Sequence, residues 1–148
     1  MNVEETINIG IKNAMIEKSE VKLEALRTIK TAIQTEKAKE GKELSDEQVI
    51  KLIQSLVSKR SESVLQYTQG GRVDLANHEN ELIDIFKLYL PVQLNDSEIE
   101  EKVKQIITTI GAASIKDMGK VMVAANAEFV GKANPKTVGM IVKNLLTK

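Results

Sequence analysis

The sequence has no cysteine and no tryptophan, and only one histidine, two prolines, two tyrosines and two phenylalanines. Without cysteine there is no disulfide framework, no thiolate nucleophile and no cysteine-based zinc site, and a single histidine cannot form a histidine cluster. Any metal chemistry would rest on carboxylates alone, and neither a metal nor a cofactor is expected. Aromatics make up only 3% of the chain, so packing has to come from aliphatic side chains, as it does in small helical bundles. No run approaches the roughly 20 apolar residues of a membrane span, so no membrane partner is expected. The first residues carry Glu4 and Glu5 and lack the basic start and apolar stretch of a signal peptide, which makes the cytoplasm the expected compartment.

What is present suits a folded chain. With 148 residues, 42% hydrophobic and 28% charged, the protein can bury one ordinary core or two small ones. Formal net charge is zero, but the charges are unevenly spread. Residues 1 to 101 hold 13 Lys or Arg against 19 Asp or Glu, a balance of −6, whereas residues 102 to 148 hold eight Lys against Asp117 and Glu128, a balance of +6.

Aliphatic spacing predicts an all-α fold of seven helices with almost no strand. The first covers Val3 to Lys18 with Ile7, Ile11, Ala14 and Met15 on one face, and the second Glu20 to Lys39 behind Ser19 as N-cap, with Gly41 as its stop. Ser45 and Gln48 form a capping box for the third, which should reach about Thr68 and end at Gly70 and Gly71, both expected at positive φ. The fourth runs from Val73 to Tyr89 before Pro91. Asn95 and Glu98 open the fifth by a second capping pattern, the sixth spans Met118 to Val130, and the seventh has Asn134 as N-cap with Pro135 in its first position. A boundary at Pro91 to Asn95 divides the chain into an N-terminal bundle of about four helices, residues 1–92, and a C-terminal three-helix domain, residues 93–148.

The run Asp117, Met118, Gly119, Lys120, Val121, Met122, followed by Gly131, Lys132, Ala133, Asn134, Pro135, resembles the end of the YqeY family and of the B subunit of tRNA-dependent aspartyl/glutamyl amidotransferase, which share this tail. The front half is similar to the YqeY side at Leu26, Arg27, Ile29, Lys30 and Ala32, at Gly71 to Leu75, and at Tyr89 to Pro91. In the amidotransferase, the B subunit's catalytic cradle activates the tRNA-linked acid, a separate A subunit supplies ammonia from glutamine, and the tail reaches the body of the tRNA. Neither cradle nor glutaminase is found in these residues. The resemblance therefore implies an accessory protein that binds tRNA or a tRNA-bound protein and is not catalytic by itself. Two alternatives stand beside it: a component of glutamine-dependent amidotransferase activity, a carbon–nitrogen ligase reaction with glutamine as amido-N-donor, and a structural protein–protein interaction module.

The candidate nucleic-acid-binding residues are Lys116, Lys120, Gly131, Lys132, Asn134, Lys136 and Lys143. Lys132 stands just before a helix whose free N–H groups and dipole favour a phosphate. The same loop also reads as a plain connection, with Gly131 ending one helix and Asn134 with Pro135 starting the next. The lysines either contact phosphates or simply make a solvated face. Arg27, among apolar residues, is expected to be a partly buried charge paired with Glu79 or Glu81, and Arg72 with Asp74 a turn and cap after Gly71. His78 has no sequence neighbour suited to orienting a general base, and no catalytic residue is assigned.

Overall fold

The computed structural model describes residues 2–147, and every regular element among them is helical, which makes the fold all-α. Among the described residues the α-helices are α1 Val3–Glu17, α2 Glu20–Glu40, α3 Asp46–Gln69, α4 Val73–Lys87, α5 Asp96–Ile110, α6 Met118–Phe129 and α7 Pro135–Leu146. One turn of 3-10 helix, Ile115–Asp117, which the periodicity did not predict, leads into α6. The described residues fall into two compact units that divide between Leu90 and Pro91, two residues ahead of the boundary read from the sequence.

In the first unit the buried faces of α1 to α4 meet in a core that includes Ile7, Leu26, Ile29, Ile33, Ile53 and Phe86. The helix ends follow local chemistry. Ser45 and Gln48 make the reciprocal capping box, with Gln48 N–H donating to the Ser45 hydroxyl at 3.2 Å and Ser45 N–H to the Gln48 side chain at 2.9 Å. Lys18 is the C-cap of α1 rather than its last residue; it takes a left-handed φ of 58°, and its N–H donates to the carbonyls of Ala14 and Met15. Of the two glycines after α3, only Gly71 has a positive φ, 74°, while Gly70 caps the helix at −83°. The fourth helix stops at Lys87, short of the expected Tyr89. The N–H groups of Leu88, Tyr89 and Leu90 turn back three residues to Ile85, Phe86 and Lys87, because α conformation is disfavoured immediately before Pro91.

The expected pairing of Arg27 is not formed. Arg27 lies off the buried row of Ala25, Leu26, Ile29 and Ile33 and is exposed. Glu79, only 7% exposed, is instead met by Arg60 of α3, whose Nη1 stands 3.2 Å from both carboxylate oxygens. Arg72 precedes α4 without a side-chain cap bond, and its Nε is 3.5 Å from Asp74 with both groups well exposed. His78 Nε2 is 2.8 Å from Glu24, which ties α4 to α2 at the surface.

The second unit packs three helices. Ile99 and Val103 of α5 meet Val121, Ala125 and Phe129 of α6 and Val138, Val142 and Leu146 of α7. Leu145 is half-buried, and Leu146 takes the deeper place. Asn95 and Glu98 form the second capping box, and Gly111, at φ 77°, ends α5.

Candidate nucleic-acid interface

The connection between α6 and α7 is held from two sides. The N–H groups of Lys132 and Ala133 both return to the Phe129 carbonyl, at 2.9 and 3.2 Å. Gly131 is buried with φ 74°, a conformation that a side chain would strain. From the start of this unit, Gln93 Nε2 donates to the Gly131 carbonyl at 2.6 Å, and Leu94 N–H donates to the Lys132 carbonyl at 2.9 Å. Sequence reasoning missed Gln93 and Leu94, since they follow Pro91 with no helical or strand period to mark them. Ala133 is buried, so the loop's outward element is the exposed Lys132 side chain.

The start of α7 offers less to an anion than the sequence suggested. Pro135 has no N–H, and the Lys136 N–H is taken by the Asn134 side chain at 2.9 Å. Gly131 and Asn134 both shape the backbone path here, and the charged groups at hand for a ligand are the ammonium groups.

Those groups separate into two kinds. Lys102 and Lys104 of α5 are each 3.5 Å from a carboxylate, Glu128 and Glu100 respectively. Lys116, Lys120, Lys132, Lys136 and Lys143 are all exposed, and among the described residues none of them is in an ion pair. Glu128, which precedes the loop in sequence, is spent on Lys102. Asp117 is occupied as well: its carboxylate accepts from the N–H groups of Ala113 at 2.9 Å and Ser114 at 3.4 Å, closing the turn ahead of α6. Those backbone bonds, and to a lesser degree the nearby Lys120, hold its pKa below the usual carboxylate value.

Helical spacing arranges the free lysines in rows. On α6, Lys120, Val123 and Ala127 follow i, i+3, i+7, and on α7, Lys136, Met140 and Lys143 follow i, i+4, i+7. Val123 is 74% and Met140 61% exposed, so the α6 row sets an aliphatic group beside one amine and the α7 row sets one between two. Phe129 is core, and neither row holds an arginine or an aromatic. The +6 balance of residues 102 to 148 divides α5 in mid-helix; over the whole unit, residues 91 to 148, eight Lys face six Asp or Glu, a balance of +2. The cationic character belongs to particular faces.

The first unit has a cavity of about 190 Å³ whose lining includes Gly10, Asn13, Glu17, Lys22, Leu26 and Tyr89. Lys22 and Glu17 are paired there at 2.9 Å, and burial pushes the Tyr89 hydroxyl pKa up, so it keeps its proton. Nothing in that lining joins a nucleophile to an oriented base. Among the described residues no group of three His, Asp or Glu is placed to hold a metal ion, and no helix is long and apolar enough to cross a membrane.

The family model described as Yqey-like protein matches residues 4–146. The altered inheritance of mitochondria protein 41, mitochondrial, of Saccharomyces cerevisiae is 31% identical over 104 residues, covering 68% of this chain and 56% of that protein. The protein of the same name from Clavispora lusitaniae is 30% identical over 110 residues, covering 72% of this chain and 64% of its own length.

Proposed function

Because this chain belongs to the Yqey-like protein family, we propose that it is an RNA-docking accessory protein whose second unit holds tRNA, or a tRNA-bound protein, through phosphate contacts. The observation that carries this reading is the set of five exposed lysines with no carboxylate partner among the described residues, Lys116, Lys120, Lys132, Lys136 and Lys143. A lysine already neutralised by a carboxylate releases few counterions when it meets a phosphate, whereas a free one gains the full electrostatic contribution. The lack of arginine and aromatic groups on these faces favours contact with backbone phosphate over base edges or stacked bases.

The test is titration of labelled tRNA into the full chain at low and moderate salt, beside a variant carrying Lys120→Glu, Lys132→Glu and Lys136→Glu. Each lost phosphate contact lowers the slope of log affinity against log salt by about 0.9, so the triple variant should lose about three units of slope at most, together with most of its affinity. An unchanged affinity and slope would remove the proposal. Glutaminase and transamidation assays on the purified chain accompany it; the proposal expects no turnover.

A further inference from the structure

α6 carries a glycine for which the fold has no use. Gly119 lies in the first turn of the helix with an ordinary right-handed backbone, since the positive-φ glycines are Gly41, Gly71, Gly111 and Gly131. Apart from its chain neighbours and the helix's own backbone, no atom among the described residues stands within 4 Å of the place a Cβ would occupy, and the residue is exposed. Neither conformation nor packing asks for glycine there. Its counterpart in α7, Gly139, has Met122 Cε at 3.8 Å from the same notional atom, an ordinary contact that alanine would keep.

The surroundings of Gly119 say what could use the bare backbone. Val123, 74% exposed, is one turn further along the same face, and Lys120, next in sequence, is in no ion pair among the described residues, with the Asp117 carboxylate two residues back from Gly119 occupied by the N–H groups of Ala113 and Ser114. A partner reaching this point meets an uncovered stretch of main chain, an aliphatic side chain and an ammonium group. A ribose–phosphate backbone complements all three, with anionic oxygens for the lysine and sugar C–H groups for Val123 and the glycine Cα, whose own C–H groups make weak bonds to oxygen.

Building on the reading of the second unit as an RNA-docking surface, we infer that Gly119, with Lys120 and Val123, is where the ribose–phosphate backbone of the bound RNA comes closest to α6. A methyl group at residue 119 holds that backbone away without removing any charge.

The experiment uses the full chain as wild type, Gly119→Ala, Gly139→Ala and the triple lysine variant, with tRNA and poly-glutamate as probes and Tm measured in parallel. Gly119→Ala should leave Tm unchanged or raise it by about 2 °C at most, since the propensity gain of a helix interior applies only in part to the first turn. It should weaken tRNA binding about tenfold with the salt slope unchanged, while Gly139→Ala binds as wild type. Poly-glutamate should bind more weakly and be indifferent to Gly119→Ala. If the triple lysine variant loses tRNA but Gly119→Ala does not, the close approach is refuted and RNA docking stands. If Gly119→Ala weakens poly-glutamate as much as tRNA, the occupant is an acidic polypeptide and the ribose assignment fails. If wild type fails to hold tRNA at low salt, both readings fall together.

Discussion

Removing the guanidinium that faces Glu79 should destabilise the first unit far more than the loss of an ordinary surface pair. Glu79 is 7% exposed and receives Arg60 Nη1 at 3.2 Å on each oxygen, while the Arg60 side chain is 31% exposed. Breaking a fully buried pair by deleting one partner costs 3–5 kcal/mol, because the remaining charge is left in an apolar setting. Water reaches the arginine side of this pair, which brings the expected cost of Arg60→Met down to about 2 kcal/mol. For a unit of this size that lowers Tm by about 10 °C. Both tyrosines, Tyr67 and Tyr89, belong to the first unit and the chain has no tryptophan, so tyrosine fluorescence in a urea titration follows this unit alone. The double variant Arg60→Met with Glu79→Leu should recover most of the loss, since a well-packed apolar pair replaces a buried ionic one at little cost. A single variant within about 0.5 kcal/mol of wild type would show the pair to be a solvated contact. A double variant less stable than the single one would mean that Glu79 serves something other than Arg60.

Two further outcomes follow from close contacts. A Cβ on Gly10 would land on the Tyr89 hydroxyl and 3.1 Å from the buried Leu26 Cδ1, so Gly10→Ala should cost about 1–3 kcal/mol, with Tyr89→Phe in the same background restoring part of it; no rescue would refute the steric account. For Asp117, backbone hydrogen bonds lower the folded pKa below the unfolded value of about 3.9. Its contribution is therefore complete above that value and is lost as pH falls through the folded pKa. Between pH 6 and pH 2 the Tm of wild type should fall toward that of Asp117→Asn below about pH 4, and parallel curves would refute this.

Much of the fold is written in local chemistry, and its departures have local causes. Ser45 with Gln48 and Asn95 with Glu98 start helices where the sequence places them, because a capping box needs only four consecutive residues to satisfy its own donors. The end of α4 was misjudged because apolar spacing continues through Tyr89 while Pro91 acts backward on the residues before it. Arg27 was misassigned for a different reason. Whether a charge flanked by apolar residues is buried depends on a rotation of 100° about the helix axis, and only the packing of neighbouring helices fixes which side faces in. Arg60, three residues beyond Val57, carried no mark in sequence that Glu79 would come to it from the next helix.

The candidate site shows why counting charges along a chain is a poor guide to a cationic surface. Cutting after residue 101 gives +6, but that cut removes the acidic first turns of α5 from the helix that bears them, and over the folded unit the balance is +2. Neither figure is what a polyanion meets. At physiological salt a charge is felt over about 8 Å, so a phosphate responds to the ammonium groups beside it and hardly to the sum over the unit. Which ammonium groups are free is decided by tertiary contact: Glu128 stands in sequence next to the loop of Lys132, and its carboxylate is with Lys102 of α5. A Glu128→Gln change should therefore release Lys102 and leave the environment of Lys132 unaltered. In the same tRNA titration it should strengthen binding about twofold at most, within the range of a surface pair. A strong gain would place Glu128 against the RNA itself, with its charge opposing the phosphates in the complex.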